Sequence, residues 1–236
     1  MRYLIKFTKE SEIKFIAHLD LMRTIQKGVR RTGLPAQYSR GFNPHMAVSI
    51  AQPLSVGVYS SGEYMDLILL EEVDEEEILE KLNATSAQGI EFLEVSKILE
   101  EENTKKLPQG MALIDACRYT IKIIYKDTKV LENELNSLLE EKEWTTIKKS
   151  KKGEREVDIK SLVYEFEFSI KDEELVINSL IQSGSREHLS ANLLISYIKE
   201  RTSNANEDAF VDVKREEMYY LMDNELVPLC NVGRRG

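Results

Sequence analysis

Tyr3, Ile5 and Phe7 recur at every second position between Arg2 and Thr8, the period of a strand with one buried face. A further short extended piece is expected over residues 13–17. The period then lengthens. Leu19, Met22, Ile25, Gln26 and Val29 fall on one side of a helix over residues 19–32, which Asp20 favours in its first turn and Gly33 and Pro35 terminate. Residues 46–51 and 63–70 read as strands, residues 74–84 as a helix with an acidic start, and residues 90–98 as a closing strand. The order is βαββαβ.

The second half repeats it with additions. Tyr119, Ile121 and Ile123 alternate in a strand over 117–125, and an amphipathic helix is expected over 129–142. Residues 144–149 and 156–159 suit a hairpin turning at Lys151-Lys152-Gly153. Strands at 162–170 and 175–182, a helix at 191–201 and a last strand at 210–222 complete the chain. These patterns predict an α+β protein of two tandem ferredoxin-like domains, each an antiparallel sheet with helices on one face, the second with extra strands. The expected domains are residues 1–100 and 115–236. Between them lies a polar linker at 101–114, which contains Pro108 and Gly110.

Composition narrows the setting. The chain has 236 residues, 42% hydrophobic and 31% charged, enough to bury a core. No apolar run nears the roughly 18 residues that span a bilayer, and the strand-like start lacks a signal-peptide core. Cys117 and Cys230 stand far from any CxxC spacing, which argues against a disulfide scaffold, an iron–sulfur cluster or a cysteine-built zinc site. A cytoplasmic protein without membrane attachment is expected.

The net charge of −9 alone would disfavour nucleic acid, but its distribution is uneven. Residues 1–62 carry nine Lys or Arg against three Asp or Glu, and the remainder is strongly acidic. No acid lies between Asp20 and Glu63. Arg23, Lys27, Arg30 and Arg31 share one side of the first helix, where a phosphate backbone could lie. The following loop, residues 34–45, is preceded by Gly33, punctuated by Pro35, Gly41 and Pro44, and presents Tyr38, Arg40, Phe42 and Asn43. Interleaved aromatic and cationic groups suit single-stranded RNA, whose bases stack and whose phosphates need neutralising.

His18 and His45 sit at the boundaries of neighbouring elements. If they converge, they could serve as general base and acid in metal-independent RNA cleavage, with Tyr38 or Arg40 supporting the oxyanion. No ligand spacing for a metal accompanies them. In the second half, Ser183, Gly184, Ser185, Arg186 and His188 precede a helix capped by Ser190 and could face an anion. GxxxxGK[ST], GxGxxG and GxSxG are absent, so nucleotide hydrolysis and common serine-hydrolase chemistry lack support.

Three segments carry a family resemblance: Phe15-Ile-Ala-His-Leu-Asp-Leu-Met-Arg-Thr24, Thr32-Gly-Leu-Pro-Ala-Gln-Tyr-Ser-Arg-Gly-Phe-Asn-Pro-His45 and Pro53-Leu-Ser-Val-Gly57. Together they resemble the radical-SAM-linked protein family of unknown function. Val157-Asp-Ile-Lys160 and Gly184-Ser185 look like further landmarks of it. Members occur alone or as C-terminal extensions of radical SAM proteins with a cobalamin-binding region. The resemblance implies a partner enzyme that carries an iron–sulfur cluster, S-adenosylmethionine and cobalamin. Lacking a cysteine triad, this chain would hold none of them. Relatives often have asparagine where this chain has His188, so the resemblance lends that histidine no catalytic role. The expected function is an accessory RNA-binding module. The alternatives are an RNA-processing endoribonuclease and a protein-interaction scaffold.

Overall fold

The structure is a computed structural model and describes residues 1–99, 108–150, 153–184 and 187–232. In chain order its elements are β1 (Arg2–Lys9), α1 (His18–Thr32), β2 (Val48–Ile50), β3 (Val58–Ile68), α2 (Glu75–Thr85), β4 (Phe92–Ile98) and α3 (Gly110–Leu113). There follow β5 (Ala116–Ile124), α4 (Leu131–Glu140), β6 (Thr145–Ser150), β7 (Gly153–Asp158), β8 (Val163–Lys171), β9 (Glu174–Gln182), α5 (Ala191–Arg201), β10 (Asp212–Met222) and β11 (Glu225–Pro228). The class is α+β. Two compact units emerge, Met1–Asp115 together with Arg215–Gly236, and Ala116–Lys214. The closing strand is divided in this grouping, its first three residues falling in the second unit and the rest, from Arg215 on, in the first.

In the first unit the strand order is β4-β1-β3-β10, with β2 on β3 and β11 on β10. β1 runs antiparallel to both neighbours, pairing Ile5 with Met65 and with Val95. Opposite residues share a face, so Tyr3, Ile5, Phe7, Met65, Leu67 and Val95 form one apolar layer. Leu21, Ile25 and Val29 of α1 and Ile78 and Leu82 of α2 close over it. The expected core stripe of α1 needs one correction. Leu19 is exposed and Leu21 is buried in its place, because two residues turn a helix by about 200° and only Leu21 keeps phase with Ile25 and Val29. Residues 11–13, within and before the expected extended piece, form a 3₁₀ turn instead. Gly33 ends α1 with φ of 73°, a left-handed position that a glycine fills without strain. Gly62 is required for a different reason: a Cβ there would stand 2.5 Å from the Glu216 carbonyl oxygen of β10.

The opposite face of this sheet is polar and also covered. Arg2 Nε donates to Asp66 Oδ1 at 2.7 Å, and the Gly110 N–H to Asp66 Oδ2 at 2.9 Å. Of the expected linker, residues 101–107 lie outside the described residues, while 110–113 form α3. Lys6 Nζ and the Tyr64 hydroxyl donate to the two oxygens of Glu217, at 2.6 and 2.7 Å. Leu229 and Val232 of the C-terminal segment are buried as well.

Burial, aided by the neighbouring Glu217 carboxylate, holds the Tyr64 phenol far above the usual tyrosine range. Burial alone would lower Lys6, but its hydrogen bond to Glu217 and that carboxylate's charge outweigh it and raise Lys6. The folded state thus keeps these protons to higher pH than the unfolded chain, whose tyrosines ionise near ~10. It binds more protons there, so stability falls as pH rises beyond that point. Lys9, lowered chiefly by burial, has the opposite sign and adds stability as pH rises toward the ordinary lysine value. We expect the urea-unfolding free energy of the wild type to decline between about pH 9.5 and 11, and Tyr64→Phe to flatten that decline. An equal slope in both proteins would refute the assignment.

The second unit contains the order β5-β9-β8 and a separate β6-β7 hairpin. Residues 151–152 of the expected hairpin turn lie outside the described residues. Cys117, Ile121 and Ile123 of β5, Leu175 and Ile177 of β9, Leu131, Leu135 and Leu138 of α4, and Leu194 and Ile198 of α5 are buried. Trp144 lies among them, stacked on Tyr197 with ring centroids 5.7 Å apart and edge-on to Phe166 at 5.8 Å. No helix among the described residues is long and apolar enough to cross a membrane.

Candidate nucleic-acid interface

The loop after α1 is a built structure. Its two sides pair through the Tyr38–Met46 bridge, the Ser39 N–H to the His45 carbonyl at 2.8 Å, and the Ala47 N–H to the Gln37 carbonyl at 2.8 Å. The Ser39 hydroxyl accepts the His45 N–H at 2.9 Å. The base is clipped to the end of β3, where the Gln37 N–H donates to the Ile68 carbonyl and the Leu70 N–H to that of Pro35, both at 2.8 Å. Met46 and Leu34 are buried beneath it. What remains is a narrow tip, residues 40–45, exposed throughout. Phe42 is fully exposed and Tyr38 is 40% exposed. A phenylalanine left in water forgoes about 1.5–3 kcal/mol of burial. Here it sits beside Arg40 and Asn43, above the hydrogen-bonded base of the loop.

On α1 the four cations are all exposed. Arg23 pairs with Asp20 at 3.0 Å, and Arg31 donates to the Thr85 carbonyl at 2.8 Å. Among the described residues Lys27 and Arg30 have no ion pair. They are one helical turn apart on the solvent side, and the stripe from Arg23 to Arg30 extends ~10 Å along the axis. His18 is the first residue of α1, half-buried, and His45 closes the exposed tip. Among the described residues no hydrogen bond, ion pair or ring contact joins His18, Tyr38 and His45.

Beneath the 14–19 and 52–58 segments lies a set of charges that periodicity alone does not single out. Arg215, on the C-terminal strand, meets Glu63 with two bonds, Nε to Oε1 at 2.8 Å and Nη2 to Oε2 at 2.6 Å, and both residues are 1% exposed. Nη2 also donates to the Gln52 carbonyl at 2.7 Å. The Lys9 ammonium, equally buried, donates to the carbonyls of Lys14 at 2.9 Å and Val58 at 3.0 Å. The Gly57 N–H reaches the same Lys14 carbonyl. The Gly57 bond ties the end of the Pro53-Leu-Ser-Val-Gly57 segment to Lys14, the residue just before the segment that begins at Phe15. Phe15, Ile16, Leu19 and Val56 remain exposed on them. A signal for the buried set does exist in the sequence: Lys9 and Glu63 occupy the core-facing parity of their strands, in line with Phe7 and Met65.

The second unit holds a cavity of about 380 Å³, bordered by Lys148, Arg155 and Asp158 of the hairpin, Ser161, and Gly184 and His188 of the turn before α5. Its turn is closed by the Gly184 N–H to the Glu187 carbonyl at 3.0 Å and the Leu189 N–H to the Gln182 carbonyl at 2.9 Å. Ser190 caps α5 through the Leu193 N–H, as its position before the helix implies. Residues 185–186, which the sequence offers as anion donors, lie outside the described residues. Lys148 and Arg155 carry no motif and are found only from the structure.

A family model described as an uncharacterized protein conserved in bacteria, DUF2344, matches residues 2–191. No curated protein matches the sequence. Among solved structures, the chain is similar to one in the crystal structure of a Cbf5-Nop10-Gar1 complex, with a TM-score of 0.50, 12% identity and coverage of 92% of this chain and 48% of that one. A chain of an H/ACA RNP bound to a substrate RNA containing 2′-deoxyuridine gives a TM-score of 0.48 at 11% identity, covering 90% of this chain and 46% of that one. An unknown protein from Galdieria sulphuraria gives 0.25 at 10% identity, covering 91% of this chain and 96% of that one. This chain spans about half the length of the first two. At 12% identity the first likeness is one of fold alone.

Proposed function

This chain belongs to the bacterial family of uncharacterized proteins DUF2344, and we propose that it is an accessory RNA-binding protein that presents RNA to a radical SAM partner in the cytoplasm. The observation that carries the reading is the tip at residues 40–45. It is rigid at its base, free of carboxylates, and displays Phe42 and Arg40 to solvent. Unpaired bases stack on such a ring, and a guanidinium beside it neutralises the backbone. Lys27 and Arg30 extend the cationic surface along α1. Two ferredoxin-like frames remain the finer reading of the fold behind this proposal.

The partner half of the proposal is supported by Phe15, Ile16, Leu19 and Val56, exposed apolar side chains that suit a protein surface better than a polyanion. The iron–sulfur cluster, S-adenosylmethionine and cobalamin would all belong to that partner. An endoribonuclease built on His18, Tyr38 and His45 has no such support.

The test is RNA binding by an unstructured oligonucleotide across a salt series. Lys27→Glu with Arg30→Glu is expected to weaken binding at least tenfold and to reduce the salt slope by about 1.4, two single-strand phosphate contacts. Phe42→Ala is expected to cost about 1–3 kcal/mol of affinity with an unchanged slope. Retention of wild-type affinity and slope by the double variant would sink the proposal. Co-purification of a radical SAM protein after nuclease treatment, lost on Leu19→Glu, would support the partner half.

A further inference from the structure

We propose that the cavity of the second unit is a binding site for a phosphomonoester, the terminal phosphate of a mononucleotide or of an RNA end. Three cationic or protonatable side chains reach it from separate segments: Lys148 from β6, Arg155 from β7 and His188 from the turn before α5. Their places in the chain give no hint of this meeting. Two landmarks that stand apart in the sequence meet at this space, one through Val157, Asp158 and Ile159 and the other through Gly184.

The details favour an anion over a cation. Of the two carboxylates in the lining, Asp158 accepts at Oδ1 from main-chain donors, the N–H groups of Trp144 at 2.7 Å and Lys160 at 2.9 Å. The other carboxylate of the lining, Glu187, is exposed. The Lys148 ammonium spends one of its three donors on the His188 carbonyl at 2.6 Å, a bond that also fixes the turn. The Ser183 hydroxyl stands 3.3 Å from His188 Nδ1 and orients the ring. Leu193 brings the first turn of α5 to the border, and the positive end of that helix adds to the field. A volume of about 380 Å³ lies within the range that holds a small organic ligand, and Leu162 and Leu189 supply an apolar wall for a base.

The site lies in the second unit and does not rest on the RNA reading of the first, so the two fail separately. The test is an amide-resonance titration with 5′-AMP, adenosine and inorganic phosphate at constant ionic strength. AMP is expected to shift His188, Leu189 and Ser161 saturably, adenosine is not, and Arg155→Gln should weaken AMP about ten- to hundredfold. Arg155 is exposed, so this variant should keep the wild-type spectrum elsewhere. A 5′-phosphorylated oligonucleotide that binds better than its 5′-hydroxyl form, through Arg155, would identify an RNA end as the source. Equal binding of the two, with saturable AMP, would identify the free nucleotide. No shifts at about 5 mM AMP, equal effects of AMP and adenosine, or an unchanged Arg155→Gln affinity would each overturn the site.

Discussion

Arg215→Ala is expected to destabilise the protein by about 3–5 kcal/mol, read as the loss of unfolding free energy in urea. The cause is the charge left behind. Glu63 is 1% exposed, and both its oxygens are held by the one guanidinium. Remove the guanidinium and a buried carboxylate stands unpaired, with only the Lys9 ammonium near it. The Gln52 carbonyl also loses its 2.7 Å donor. The converse experiment separates this account from simple loss of volume. Lys9→Met, Glu63→Leu and Arg215→Met together remove all three buried charges and keep the space filled, and should recover most of the loss, since an apolar replacement of a whole buried charge cluster is often neutral or better. If this triple variant were as unstable as Arg215→Ala alone, burial of an orphaned charge would not be the cause. The resemblance segment at 53–57 depends on the same cluster, so RNA or partner binding that needs its geometry should weaken with Arg215→Ala.

Trp144→Ala is expected to cost a similar amount, about 3–5 kcal/mol, in the second unit. This side chain is 1% exposed and is the largest buried group of the chain. It touches Tyr197 of α5 and Phe166 of β8, its Nε1–H donates to the Leu138 carbonyl of α4 at 2.9 Å, and the Lys160 ammonium lies over its ring. One residue thus joins a sheet strand, two helices and the segment after the hairpin. Trp144→Phe keeps much of the ring but abandons the Leu138 carbonyl, and about 1–2 kcal/mol is expected. Because Trp144 is the sole tryptophan, the unfolding of these variants is followed by circular dichroism. A loss under about 1 kcal/mol for Trp144→Ala would mean that this packing is not what holds the unit together.

Periodicity served well where one face of an element meets one layer. β5, with Tyr119, Ile121 and Ile123 inward, was legible because alternation records burial directly, whereas β1 turns Tyr3, Ile5 and Phe7 to the core but is buried on its other face as well. The start of α1 was not. Leu19 is apolar and near the stripe, and only the packing of Ile25 and Val29 selects Leu21. α3 and β11 were not anticipated; each is four residues long, too short for a period to register. The candidate interface divides in the same way. The turn residues and cations of 23–45 were visible from composition, and the hairpin at 36–47 gives them a rigid base. The commitment of Arg23 to Asp20 and of Arg31 to Thr85, which sets them apart from Lys27 and Arg30, depends on neighbours three and 54 residues away.

By itself, then, the amino-acid sequence determined most of the longer elements, the sign of charge along α1 and the turn chemistry of the loop, all consequences of residues within a few positions of one another. Tertiary structure alone decided the rest. It carried Arg215 back to Glu63 across 152 residues and set Lys148 and Arg155 around His188. It also turned Phe42 outward rather than into the core. Each of these outcomes rests on contacts between distant segments, where burial sets the cost of an unpaired charge and the chain topology sets which partner arrives to meet it.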